Sequence, residues 1–242
     1  MKKTLYFAKI LLLEFLKPYN FDIERQYIMG QAIPIETSAR HVHVSREDFE
    51  ILFGKDKELT FKKALSQPGQ FASNEKVVVQ GTKGSFEKVS ILGPFRNETQ
   101  VEISMTDSRK IGIPGMIRQS GDTEGTPGCT LIGPAGTIKL DHGVIVAKRH
   151  IHMNPVQAVQ LRVRDNDNVF VITESYERSL IFSDVIVRVS PGYDLAMHVD
   201  TDEANAFASE NNPTGTILKL FDGKTYNLQK WAEELQSGIR RI

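Results

Sequence analysis

The tripeptide His-x-His occurs twice in this chain, each time directly behind an arginine and ahead of a helix start: Arg40-His41-Val42-His43 and Arg149-His150-Ile151-His152. In an extended strand residues i and i+2 point to the same face, so each pair aims two imidazoles at one point about the size of a metal ion. The residues after each pair repeat as well. His-Val-His-Val-Ser-Arg-Glu-Asp-Phe is answered by His-Ile-His-Met-Asn-Pro-Val-Gln-Ala. Ser45 and Asn154 are good N-caps, Asp48 sits three residues past its cap, and Pro155 takes the first helical position. The chain is internally duplicated, and its fold must place two copies of one strand–helix unit.

Neutral imidazole is a favoured zinc ligand, and a tetrahedral catalytic zinc takes three protein ligands while leaving a fourth position for substrate. A third partner is therefore expected downstream of each pair. Val101-Glu102-Ile103-Ser104 follows the first and Met197-His198-Val199-Asp200 the second; both alternate like strands, and both run into polar helix starts at Thr106-Asp107-Ser108 and Thr201-Asp202-Glu203. The expected sites are His41/His43/Glu102 and His150/His152/His198, two zinc ions per chain. Arg40 and Arg149 fall on the opposite strand face, where their role is structural or supporting.

Turn signals organise the rest. Val77-Val78-Val79 precedes Gly81-Thr82-Lys83-Gly84, Ile132 precedes Gly133-Pro134-Ala135-Gly136, and Val169–Ile172 and Val185–Val189 follow the second histidine pair. Short β-branched runs at such spacing predict barrels. Asp122 to Gly128 is too turn-rich for a regular element and is read as the link between the halves, with exchange of the flanking strands left open. The fold class expected is mainly β: two related β-barrel domains with short helices, plus N- and C-terminal helices. The segments are 1–30 (helical extension), 31–125 (first barrel), 126–220 (second barrel) and 221–242 (C-terminal helix).

The 30 basic and 30 acidic residues balance, which implies no nucleic-acid partner. The single cysteine, Cys129, excludes an intrachain disulfide framework and fits a reducing compartment. It reads as a buried structural thiol, since no histidine lies near it in sequence.

The runs Ser38-Ala39-Arg40-His41-Val42-His43, Ser66-Gln67-Pro68-Gly69-Gln70-Phe71, Leu92-Gly93-Pro94, Thr99 to Ser104, Ser120-Gly121-Asp122, Arg149 to His152 and Met197 to Ala204 resemble the PduL-type phosphate acyltransferases, from about Ile33 to Ala208. The resemblance implies a two-zinc enzyme of two related β-barrels that interconverts acyl-CoA (propanoyl-CoA or acetyl-CoA) plus phosphate with acyl phosphate plus CoA. It implies a catalytic role for Arg96, a guanidinium that can bind phosphate or stabilise a tetrahedral oxyanion. Ser120, in the family-like Ser-Gly-Asp turn, becomes a phosphate contact. Of the two zinc sites, the all-histidine one stays more cationic and suits a phosphate guest, while the other zinc could hold the CoA sulfur as thiolate.

Lys2 to Leu16 is apolar around much of a helical circumference, interrupted by Lys9 and Glu14, and stops at Lys17-Pro18. It is too short to span a bilayer. Three readings stand: a helix directing the chain to shell or cargo partners of a bacterial microcompartment through residues 1–20, a helix packed on a barrel, or an interfacial membrane helix. The location expected is the cytoplasm or such a microcompartment, with the chain as a homo-oligomer. Tyr226 to Ile242 reads as a helix closed by Arg240-Arg241, cations that suit a helix C-terminus. The rival function is a two-zinc hydrolase acting on thioesters or other small substrates. Metallo-β-lactamase-like hydrolases add Asp-His directly after His-x-His, whereas Ser45-Arg46-Glu47-Asp48 stands here.

Overall fold

A computed structural model describes residues 31–218 apart from 174, 176, 210 and 211. The helices expected over Lys2 to Leu16 and Tyr226 to Ile242 lie outside the described residues. In chain order the elements are β1 (Ile33–Ser38), β2 (His41–His43), α1 (Arg46–Phe53), β3 (Phe61–Ala64), β4 (Phe71–Gln80), β5 (Ser85–Gly93), β6 (Gln100–Glu102) and α2 (Met105–Ile111). Next come β7 (Ile117–Arg118), β8 (Thr130–Ile132), β9 (Thr137–Lys139), β10 (Val144–Ala147), β11 (His150–Met153), α3 (Pro155–Leu161), β12 (Asn168–Thr173), β13 (Leu180–Val189), β14 (Ala196–Asp200), α4 (Thr201–Ala206) and β15 (Thr214–Leu218). The molecule is mainly β, as expected.

The strands form two sheets. One closes as a barrel in the order β1-β14-β11-β13-β12-β15, with β15 pairing back to β1. The other stays open, with nine strands running β7-β10-β6-β2-β5-β4-β8-β9 and β3 on β4. Sheet membership crosses the linear order. β1 belongs to the barrel although it precedes the whole open sheet, and β8 to β10 belong to the open sheet although they come after residue 125. Asp122 to Gly128 is irregular, as its turn residues predict.

The crossing is reciprocal. β1 pairs in parallel with β14, setting Glu36 opposite His198, while β10 pairs in parallel with β6, setting Ile145 opposite Glu102. Two residues after β1 the chain enters β2 of the open sheet, and two residues after β10 it enters β11 of the barrel. Each histidine strand thus comes directly after a strand that completes the other sheet.

Burial locks the register. Val42 and Ile151, the middle residues of the two tripeptides, are fully buried in separate hydrophobic cores. Burying each such side chain is worth about 1.5–3 kcal/mol. A slip of one residue would turn the histidines into those cores and the aliphatics out, which the burial forbids. The strands end in capped helices. Ser45 and Asn154 accept from the backbone N–H of Asp48 and Gln157, and Ser104 and Asp200 accept from those of Asp107 and Glu203. At Gly133 and Gly136 in the β8–β9 turn, an added Cβ would lie 2.3 Å from the Leu52 carbonyl oxygen and 2.5 Å from that of Ile51, so glycine lets this turn press on the end of α1. Among the described residues no helix is long and apolar enough to cross a membrane.

This packing can be tested in two ways. Residues 1–125 carry β1 without its barrel and lack β8 to β10, whereas 126–242 lack the strand that closes the barrel. Expressed separately, neither piece should give a cooperative thermal transition; coexpressed, they should co-purify in a one-to-one ratio. A cooperative melt of either piece alone would contradict the exchange. The second test concerns Cys129, which is 7% exposed and whose thiol burial pushes up to about 12. Iodoacetamide at pH 8 should leave it unmodified in the native protein and label one thiol per chain in guanidinium, because the thiolate is the reacting form. Rapid labelling of the native protein would overturn the buried-thiol reading.

Candidate functional site

The antiparallel pairing of β2 with β6 sets His41 directly opposite Glu102, and that of β11 with β14 sets His150 directly opposite His198. The third residue of each expected triad therefore arrives by strand register on the face that already holds a histidine pair. One ligand-capable atom from each of His41, His43 and Glu102 lies within 4.8 Å of the others, and the same holds for His150, His152 and His198. The structure brings these six residues together, three and three.

In the first cluster all three residues are buried. His41 Nε2 lies 3.2 Å from His43 Nε2 and 3.5 Å from Glu102 Oε2. The other ring nitrogen of His41, Nδ1, contacts the Ala39 carbonyl at 2.9 Å; a carbonyl only accepts, so Nδ1 carries a proton and Nε2 is the nitrogen turned to the cluster. His150 repeats this with the Lys148 carbonyl, also at 2.9 Å. The duplication thus extends to the tautomer. The second cluster is less enclosed, with His150 and His198 half-buried. His152 Nδ1 and Nε2 and His198 Nε2 are buried and make no hydrogen bond among the described residues.

Burial, aided by His41 and Arg96, holds His43 well below the usual imidazole range. Burial and His198 lower His150 to about 4, and burial with His150 and His198 lowers His152 to about 2. His198 is also lowered by burial, although Glu36 and Glu102 oppose it. Glu102 behaves oppositely. Burial would raise it, but His41 and His43, the Ser120 hydroxyl and Arg96 hold it at about 2. The shifts favour lone-pair imidazoles at His43, His150, His152 and His198 and a carboxylate at Glu102, the form in which these groups ligate metals.

The two clusters adjoin, because one pocket is lined by Glu102 from the first and by His150 and His198 from the second. Arg96, half-buried in the loop after β5, donates from Nη1 to the Ser120 hydroxyl at 3.0 Å, and Ser120 donates onward to Glu102 Oε1 at 2.8 Å. The Gln100 amide reaches the same two oxygens, at 2.7 Å from Glu102 Oε1 and 3.0 Å from Ser120 Oγ. Arg96 and Ser120, 24 residues apart in sequence, thus meet at the first cluster.

Two residues that sequence reasoning did not single out also face the site. Arg188 on β13 stands in register with His152, and its charge disfavours protonation of His150, His152 and His198. The ring of Tyr193 lies 4.1 Å from that of His152. The available signal was a lone arginine inside the aliphatic run Val185-Ile186-Val187-Arg188-Val189, at the place where the first half carries Leu92. His142, by contrast, sits in the bend before β10 and pairs with Glu98 at 2.7 Å, as an exposed residue outside both clusters.

The phosphate propanoyltransferase family model matches residues 34–210, which include every residue of the two clusters and their surroundings. A phosphate propanoyltransferase of Thermotoga maritima is 55% identical over 174 residues, covering 72% of this chain and 83% of that protein. One of Enterococcus faecalis is 51% identical over 76% of this chain and 87% of its own length, and one of Salmonella typhimurium 49% identical over 74% and 85%. With the match spanning β2, β6, β11 and β14, the chain belongs to the phosphate propanoyltransferase family of acyltransferases.

Proposed function

We propose that the protein interconverts acyl-CoA plus phosphate with acyl phosphate plus CoA at a pair of zinc ions, one held by His41, His43 and Glu102 and the other by His150, His152 and His198. The observation that carries the reading is two adjoining three-residue clusters whose donor atoms converge within 4.8 Å. The donor chemistry fits zinc: imidazole nitrogens and a carboxylate, three per site, with buried ring nitrogens of His152 and His198 that have no protein partner among the described residues. When bound, zinc supplies Lewis acidity that lowers the pKa of a coordinated thiol and polarises a phosphoryl or carbonyl oxygen. The carboxylate makes the first site less cationic than the second, which favours phosphate at the all-histidine site. The relatives' name, phosphate propanoyltransferase, supports propanoyl as the acyl group.

In the acyl-transfer step a phosphate oxygen forms a bond to the thioester carbonyl carbon, the C–S bond breaks, and the electron pair leaves with sulfur as CoA thiolate. Negative charge develops on the carbonyl oxygen in between. Arg96 is the group proposed to meet that charge or to hold the phosphate; its guanidinium is oriented by Ser120, leaving further N–H donors for a ligand. Ser120 is already committed to Glu102 and to Arg96, so its contribution to phosphate binding is chiefly to aim the arginine. Arg188 supplies a second positive charge from the other half. His43, His150, His152 and His198, all held below the usual imidazole range, hold metal and take no part as general acids.

Residues 1–20, whose apolar run is broken by Lys9 and Glu14, remain proposed as the segment that would bring the enzyme to microcompartment shell or cargo partners; otherwise the chain works in the cytoplasm.

The test monitors free thiol from propanoyl-CoA with and without phosphate. Thiol release should require phosphate and be lost on chelation and restored by zinc; phosphate-independent release would favour a thioester hydrolase. Arg96→Ala should lower kcat by about 100-fold or more with metal content unchanged, the usual scale for a group that stabilises developing charge. Arg96→Lys, which keeps the charge without the fork, should recover part of it. An Arg96→Ala enzyme with kcat and KM both unaltered would remove Arg96 from the mechanism.

A further inference from the structure

The arginine ahead of each histidine pair makes a contact that recurs in both halves. Arg40 grips Asp107 through two bonds, Nε to Oδ2 and Nη2 to Oδ1, both 2.8 Å. Arg149 Nη1 donates to Glu203 Oε1 at 2.6 Å, while its Nε donates to the Ser183 carbonyl at 2.7 Å. Asp107 and Glu203 stand at the same place, three residues past the N-caps Ser104 and Asp200, and each lies five residues beyond the third ligand of its cluster. Each guanidinium also lies over a phenylalanine: Arg40 at 4.2 Å from the ring centre of Phe86, Arg149 at 5.3 Å from that of Phe182. The partners are 67 and 54 residues away in sequence.

The position of these clamps matters more than their number. Each joins the residue immediately before the first histidine to the helix that starts immediately after the third-ligand strand. It therefore ties together the outer ends of one antiparallel strand pair, β2 with β6 or β11 with β14, on which the ligand distances of that cluster depend. Three of the four charged groups that form the clamps are largely shielded from solvent, with side chains 7% exposed at Asp107, 18% at Glu203 and 25% at Arg149, against 41% at Arg40. Charge-assisted pairs so placed are stronger and more directional than exposed ones. Neither arginine reaches a ligand atom.

The geometry points to Arg40 and Arg149 as positioning residues, each controlling metal retention at its own cluster by fixing the spacing of the strand pair that carries it. This rests on the two-metal reading of the proposed function. Partners that orient metal ligands commonly change affinity by about 10–100-fold when removed, and that range is expected here. The distinguishing feature is locality: the Arg40 clamp governs the site of His41, His43 and Glu102, and the Arg149 clamp governs the site of His150, His152 and His198.

The experiment measures zinc release from the full chain to a metallochromic chelator, together with zinc bound per chain. The wild type is measured first and should hold two zinc ions; if it holds none, the two-metal reading fails and this inference falls with it. His152→Ala then isolates the first site and His43→Ala the second. In the His152→Ala background, Arg40→Gln should weaken retention of the remaining zinc by about 10–100-fold and Arg149→Gln should not. In the His43→Ala background the order should reverse. Arg40→Lys, which keeps the charge but loses the bidentate grip, should fall between Arg40→Gln and the parent. Equal loss from both sites, or no loss from either while the wild type holds two zinc ions, would overturn the clamp assignment and leave the metal reading standing. Thermal melting of the zinc-free variants separates the outcomes: a variant that melts like its parent yet releases zinc from one site alone supports the assignment, whereas a lowered melt with loss from both sites reduces the arginines to general stability.

Discussion

The antiparallel register that sets His41 across from Glu102 and His150 across from His198 is the constraint on which the rest depends. Strands only three to five residues long carry all six residues, and short strands specify register weakly unless one face is firmly buried. Here Val42, Val101, Ile151 and Met197 face inward and are fully buried, so each histidine strand and its partner lock side by side. The imidazoles and the carboxylate take the other face because the period of a strand leaves them nowhere else.

Reciprocal strand exchange brings the two clusters to one place. Each sheet would be self-contained if the strand before its own histidine pair stayed at home; instead β1 completes the barrel and β10 completes the open sheet. The peptide must therefore cross between sheets at Ala39-Arg40 and at Lys148-Arg149, directly ahead of both histidine pairs. At those crossings the Ala39 and Lys148 carbonyls fix the tautomers of His41 and His150, and the adjoining arginines reach Asp107 and Glu203. The same symmetry recurs at α2 and α4, where the Thr106 N–H donates to Asp202 at 2.8 Å, a contact between residues at matching places in the two halves.

The halves have diverged where substrate chemistry would require it. Glu102 answers to His198, which leaves one cluster with a carboxylate and the other with imidazoles only. Arg188 stands where the first half has Leu92, and Arg96 has no arginine counterpart in the second half. Each half thus contributes one guanidinium from a different position, and a symmetrical scaffold presents an asymmetrical site. Such asymmetry suits a reaction whose two substrates, a thioester and an inorganic anion, have nothing in common.

The sequence by itself determined the duplication, both triads, the helix caps and the mainly β class. These rest on local rules: a period of two along a strand, the hydrogen-bonding habits of Ser, Asn and Asp at helix starts, and glycine turns such as Gly81 to Gly84. It also placed Arg40 and Arg149 on the face away from the histidines, without showing what they grip. Only the tertiary structure decided that β1 closes the barrel, that β10 joins the open sheet, that Arg96, Ser120 and Glu102 form one chain of hydrogen bonds, and that Arg188 faces the histidines. Alternation along a strand states which side of it is buried and is silent on which strand lies beside it. Neighbours such as Glu36 and His198, or Arg40 and Asp107, are chosen by how two whole sheets close around their cores, and no short stretch of sequence carries that information.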